Sequence, residues 1–231
     1  MIEHSVNEYS QIIFFFADNL KFEYIIILYQ RRSQKYRIMN STEFKRIYAF
    51  VEESTMTFDE SHDVSHAYAV YNNMLKIVET IDEDIDMDIL IYCAMLHDVC
   101  DHKYPNSIKE SELIKFIIDG LGDIKCERVM NIINNVSFSK QIKGLRKELQ
   151  YPDNIHLDII SDADRLEAIG QIGIDRCIKY TRASGGQVPE DVIKHCHEKL
   201  LILKDKYIVT SIGKQIAEPL HNIVVEYIKS Q

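Results

Sequence analysis

The chain has 231 residues, 46% of them hydrophobic, which is enough for one domain with a full core; with 8 glycines and 4 prolines it favours helices over a turn-rich β-sandwich or barrel. Its formal net charge of −9 excludes attraction of a nucleic-acid polymer by the overall field, so a phosphorylated ligand would need a local positive patch or a metal ion. The cysteines, Cys93, Cys100, Cys126, Cys177 and Cys196, are dispersed without a CxxC pair and are expected as free thiols in a reducing, cytoplasmic setting.

Residues 1–40 read as an N-terminal appendage, packed on the domain or used to form a homo-oligomer. They carry the runs IIFFF and YIIILY and then the basic QRRSQKYR of 30–37. The stretch 12–29 is interrupted by Asp18, Lys21 and Glu23, which argues against a membrane span. From 41 to 231 a helical period dominates, and one all-α helical domain is expected there. Phe44, Ile47, Tyr48 and Val51 share one helix face. A helix near 65–80 has the stripe Val70, Met74 and Ile77, with Ser61, Asp63 or Ser65 as its cap. The acidic run 79–88 reads as a solvated loop and the negative first turn of the next helix. That helix, 89–99, is apolar on nearly every side and should be buried, and Pro105 marks a stop after it. Helices follow near 108–120 and 123–135, where Ser137 and Ser139 read as a cap after Val136. Then come a loop at 144–154 and one long or broken helix over 155–180. The loop 183–191 has a helix start at Pro189, and the last helices cover about 191–206 and 210–229.

Three features carry chemistry. The buried helix 89–99 ends in His97 and Asp98, and a buried carboxylate beside a buried imidazole is costly unless the two pair with each other or bind a cation. In HDVSH, 62–66, the histidines His62 and His66 stand at i, i+4. The segment straddles a helix start, so a capping or substrate-side role is expected for His62. In SDADRLEAIG, 161–170, Asp162 and Asp164 precede Arg165. At spacing i, i+2 only one of them can point at a given site, and the other is a surface group or a support behind the ligands.

The order His66, His97–Asp98 and Asp164 resembles the HD-domain superfamily of metal-dependent phosphohydrolases. ADRL, 163–166, resembles that superfamily's last-aspartate segment, which selects Asp164 over Asp162. The likeness is nearest to a bacterial-type subgroup of small HD hydrolases, through SHDVSHAYAV (61–70), AMLHDVCDHKY (94–104), NNVSFSKQI (134–142), DADRLEAIGQIGI (162–174) and HCHEKLL (195–201).

The resemblance implies a helical HD domain with one divalent ion at its centre. His66, His97, Asp98 and Asp164 would be its ligands. It also implies a nucleoside triphosphate pyrophosphohydrolase that uses manganese and yields monophosphate and pyrophosphate. Two imidazoles and two carboxylates suit Mn²⁺ or Mg²⁺, with Fe²⁺, Co²⁺ or Ni²⁺ as further candidates. Such an ion lowers the pKa of a bound water that can attack phosphorus in line. Asp101, one turn beyond both His97 and Asp98, is the expected group to orient or deprotonate that water.

Lys103 and Arg165 are the nearest cations by sequence for the charge that grows on phosphate oxygens. His195 and Lys199, at i, i+4 in HCHEKLL, are candidate phosphate contacts, whereas His195 and His197 at i, i+2 cannot both face one ion. The sequence departs from the subgroup in the final helix, where AEPLHNIV (217–224) has Leu220 in place of an arginine, preceded by Pro219. Other readings stand beside the leading one: a nucleotide monophosphatase, a phosphodiesterase for a cyclic or alarmone nucleotide, a two-metal site or di-iron oxygenase, for which only His102 and His156 lie between Asp98 and Asp164 as extra histidines, and a non-catalytic nucleotide-binding sensor.

Overall fold

The helical period of the sequence becomes a helical bundle in the computed structural model, which describes residues 41–59, 62–83 and 85–231. The appendage expected over 1–40, with its apolar stretch at 12–29, lies outside the described residues. Among the described residues there is no strand, and no helix is long and apolar enough to cross a membrane.

Helix α1, Ser41–Ser54, turns Ile47 and Val51 into the core, with Phe44 and Tyr48 half-buried beside them. Helix α2, Val64–Val78, is capped by Asp63, whose carboxylate accepts the backbone N–H of Ser65 at 2.8 Å and of His66 at 3.0 Å. Such a cap contributes about 1 kcal/mol. Because α2 begins at Val64, His62 precedes the cap, and the i, i+4 pairing of His62 with His66 is not a helical one.

Helix α3, Met87–Leu96, is buried from Ile89 through Leu96, as its apolar sequence requires. It ends three residues earlier than the sequence pattern extends. The His97 ring turns back, and its Nδ1 donates to the Ala94 carbonyl at 3.0 Å, satisfying a carbonyl of the last turn. Beyond it the chain runs in successive tight turns, with Asp101 N–H to Asp98 O at 3.0 Å and Tyr104 N–H to Asp101 O at 3.1 Å.

Helices α4, Glu110–Leu121, and α5, Asp123–Val136, meet the expected bounds within two residues. A short helix, α6, Phe138–Ile142, follows where none was expected. Ser137 stands between α5 and α6 without a capping hydrogen bond, and its hydroxyl lies 3.0 Å from that of Ser139 instead. The stretch 155–180 is broken, into α7, Asp153–Glu167, and α8, Gly170–Ala183. Gly170 takes φ +76° at the break, and a side chain on Gly173 would stand 2.2 Å from the Ala168 carbonyl oxygen, so both positions need glycine for α8 to fold back.

The helix expected over 191–206 is regular only in α9, Glu190–His195, and continues as two π-helical turns, Cys196–Leu200 and Leu203–Tyr207. Val192, Cys196 and Leu200 are all buried at steps of four. On an α-helix each such step drifts by about 40°, and the wider π turn keeps all three against the core. Helix α10, Ser211–Lys229, starts at Thr210, whose Oγ accepts the Gly213 N–H at 3.1 Å. Helix α7 is the centre of the bundle and packs against α2, α3, α5 and α10.

Candidate metal centre

Three elements deliver the polar residues of one cluster. The capped first turn of α2 brings His66, the end of the buried α3 brings His97 and Asp98, and the last turn of α7 brings Asp164. One ligand atom each from His66, His97 and Asp164 lie within 4.8 Å of one another. Asp98 Oδ2 is 3.5 Å from His66 Nε2 and 3.3 Å from His97 Nε2. Asp164 Oδ1 is 3.5 Å from His66 Nε2 and 3.9 Å from His97 Nε2.

These separations are too long for good hydrogen bonds and suit groups arranged around an ion. The buried His97 Nε2 has no hydrogen-bond partner. Its Nδ1 donates to Ala94, so Nε2 is the nitrogen left to offer a lone pair to an ion held with the two carboxylates. Two imidazole nitrogens and two carboxylates are a borderline-hard donor set with no thiolate, which fits a divalent ion of the Mg²⁺, Mn²⁺ or Fe²⁺ kind.

The electrostatics point the same way. Burial pushes the His66 imidazole down, but Asp164 and Asp98 outweigh it and raise its pKa to about 9. His97 is raised as well: burial lowers it, and the charge of Asp98, with Asp164, prevails. Burial works to raise Asp98, yet His97 and His66 hold it well below the usual carboxylate range. Asp164 is lowered too, with burial again opposed by His66 and His97. Without an ion, the histidines supply the positive charge the carboxylates need.

Lys199 is half-buried on the first π turn, and its charge interacts with Asp164, Lys103 and Arg165. Burial lowers its pKa, with the neighbouring cations adding to the effect. Lys103 is exposed, and its Nζ lies 3.0 Å from Asp101 Oδ2. Arg165 is only 2% exposed; it donates from Nη2 to Gln141 Oε1, and its Nε and Nη1 have no hydrogen-bond partner. His195 is half-buried, and burial followed by the charge of Lys199 lowers its pKa, whereas His197 is exposed.

Asp101 and His62 meet beside the cluster, Nε2 to Oδ2 at 3.9 Å, with the His62 ring 6.1 Å from that of His66. Asp162, the carboxylate set aside in favour of Asp164, is fully buried; it accepts the N–H of Val209 at 3.0 and 3.1 Å and of Thr210 at 2.7 Å. It is therefore no surface group but the anchor of the turn into α10. Leu220 seats its side chain about 3.0 Å from where a Gly170 side chain would begin, filling the angle between α7 and α8.

Sequence reasoning missed three neighbours. Gln141 holds Arg165 from the unexpected α6. Half-buried Glu167 ends α7, 3.3 Å from Arg176, with burial raising its pKa. Tyr104 contacts His62 at 2.9 Å. Their only signal was position within the quoted segments, since an isolated Gln, Glu or Tyr has no ligand spacing.

The HD domain family model matches residues 63–169, a span that holds all four residues of the cluster. Protein YpgQ of Bacillus subtilis is 33% identical over 184 residues, covering 77% of this chain and 86% of that protein. The crystal structure of YpgQ in complex with ADP superposes with a TM-score of 0.66 at 27% identity, covering 82% of this chain and 93% of that one. An HD-superfamily hydrolase of Bacillus thuringiensis superposes with a TM-score of 0.64 at 25% identity, covering 82% and 94% of the two chains. With the histidine–aspartate cluster at the centre of an all-helical fold, these likenesses place the chain in the HD-domain superfamily of metal-dependent phosphohydrolases.

Proposed function

We propose that the protein hydrolyses nucleoside triphosphates to monophosphate and pyrophosphate, with one Mn²⁺ or Mg²⁺ ion held by His66, His97, Asp98 and Asp164. The observation that carries this reading is the convergence of two imidazoles and two carboxylates from three helices, with cations gathered on the Asp164 side. When bound, the ion supplies a Lewis acid and an activated water. The chain's own residues do the rest. His97 is fixed in one tautomer by the Ala94 carbonyl and presents Nε2 inward. Asp101 stands beside the cluster to orient the attacking water and assist its deprotonation. Lys199, Lys103 and Arg165 offset charge on phosphate oxygens. Apolar Leu220, seated against Gly170, leaves that work to these three cations. His195 borders the same space as a substrate contact, and His62 stands on the substrate side beside Asp101.

The nucleotide is supported by the relative YpgQ, whose structure holds ADP. The same reading makes 41–231 one catalytic domain with 1–40 appended, working in a cytoplasm where its five thiols stay reduced. The test is hydrolysis of triphosphates, monophosphates, cyclic and alarmone nucleotides with Mn²⁺, Mg²⁺ or EDTA, with phosphate and pyrophosphate quantified separately. Metal-dependent pyrophosphate release that is lost in Asp98→Ala supports the proposal. Release of orthophosphate alone would move the activity to a monophosphatase, and no release would leave a nucleotide-binding role.

A further inference from the structure

The turn after α3 and the segment before α2 build a hydrogen-bonded chain beside the cluster. Tyr104 stacks on Phe58 with ring centroids 4.0 Å apart and planes at 12°. Its hydroxyl donates to Asp59 Oδ2 at 2.7 Å and lies 2.9 Å from His62 Nδ1. A second oxygen, Asp59 Oδ1, lies 3.5 Å from the same Nδ1. A carboxylate only accepts, and a phenol has a single hydrogen. With the Tyr104 hydrogen committed to Asp59, its oxygen faces Nδ1 as an acceptor. Nδ1 is therefore the nitrogen that carries hydrogen, and in the neutral ring Nε2 holds the lone pair. That Nε2 faces Asp101 Oδ2 at 3.9 Å.

From this geometry we infer that Tyr104, backed by Asp59, is a positioning residue that locks the His62 tautomer, so that His62 Nε2 and Asp101 act as one proton-accepting pair beside the metal centre. This rests on the proposed hydrolysis. As the attacking water forms its O–P bond, one of its protons passes to Nε2, and the phosphoanhydride P–O bond breaks with its electron pair leaving on pyrophosphate. The Asp101 carboxylate and the Nδ1–H bond to Tyr104 stabilise the imidazolium, which returns its proton to solvent when the products leave.

The test uses the full chain, with imidazole ¹⁵N NMR of the metal-free protein to read the tautomer and steady-state kinetics to read the reaction. The His62 signals are identified by their loss in His62→Gln. In the wild type the neutral ring is expected with hydrogen on Nδ1. Tyr104→Phe keeps the stack on Phe58 and the melting temperature but loses that tautomer preference. Its kcat falls about tenfold or more, with KM and Mn²⁺ binding unchanged. Hydrogen on Nε2 in the wild type, or a wild-type kcat in Tyr104→Phe, overturns the inference. If the wild type hydrolyses no nucleotide, the proposed function fails on its own account, and the tautomer still decides whether Tyr104 sets His62.

Discussion

Helix α7 carries buried polar groups of two kinds. Towards its start and in its middle, His156 Nε2 and the Asp162 carboxylate are satisfied by backbone: Nε2 accepts the Asp86 N–H at 3.1 Å, and Asp162 accepts from Val209 and Thr210 at 2.7–3.1 Å. Near its end, Asp164 has imidazole nitrogens at 3.5 and 3.9 Å. The first pair pins loops to the helix. The second group is held apart at distances that leave room for an ion, with charge balanced only among side chains. Burial of a polar group therefore does not by itself mark a site; the identity of its partner separates scaffold from site.

The sharpest way to break that distinction is to remove one carboxylate of each kind. Asp164→Ala is expected to abolish metal retention and cut kcat more than about a hundredfold, beyond the loss that follows removal of an outer partner of a metal ligand. Its melting temperature without metal should fall as well, because His66 loses the partner that does most to raise its pKa. Metal content by mass spectrometry and pyrophosphate release check this, and retained metal with retained activity would put the site elsewhere. Asp162→Ala should spare the metal and cost stability alone. It strands the amides of Val209 and Thr210 and takes a charge from beside Arg165, at a cost of about 3 kcal/mol. For a domain of this size the melting temperature then drops by roughly 6–12 °C, while kcat of the folded fraction holds. An Asp162→Ala protein that melts like the wild type would refute the anchoring role.

The sequence pattern foretold the helices and much of the cluster, but not which carboxylate does what. Apolar steps of three and four mark α1, α2 and α10, and Asp63 was among the candidate caps. The sequence leaves the break at Ala168–Gly170 open, because helical spacing continues through it; the extended backbone of Ile169 and the left-handed φ of Gly170 separate α7 from α8. The π turns were invisible because Val192, Cys196 and Leu200 also look α-helical when spacing is read without drift. Among the site residues, His97–Asp98 stood out as polar groups at the end of an apolar helix. The preference for Asp164 over Asp162 came from resemblance, since a spacing of two says only that the pair diverges. The Val209 and Thr210 amides that claim Asp162 lie more than forty residues away, where no local pattern reaches.

The two kinds of buried group should also answer pH differently. In the metal-free protein His66 keeps its proton up to about 9, so an ion binding near neutral pH must displace it. Mn²⁺ affinity should therefore rise by at least about one decade per pH unit between pH 6 and 8. Titration calorimetry in two buffers of different ionisation enthalpy counts the released protons, and a pH-independent affinity with no proton release would remove His66 from the ligands. Because its folded pKa is raised, His66 also stabilises the metal-free fold below the ordinary histidine value, a contribution lost as pH rises through about 9.

His156 has the opposite sign. Burial, followed by the nearby Arg128, lowers its pKa, and its Nε2 must stay unprotonated to accept the Asp86 N–H that starts α3. The unfolded chain then takes up a proton that the folded one refuses, so this residue withdraws stability as pH falls below the ordinary histidine value of about 6.5. His156→Gln keeps an acceptor for Asp86 but cannot titrate. The variant should melt somewhat below the wild type at pH 7.5, because the ring also fills buried space, and the gap should narrow by pH 5.5. His66 and His97 are common to both proteins, so their opposite titration cancels in the difference. A gap that widens on acidification would mean that His156 is protonated in the fold, and that the start of α3 is held by something other than a neutral imidazole.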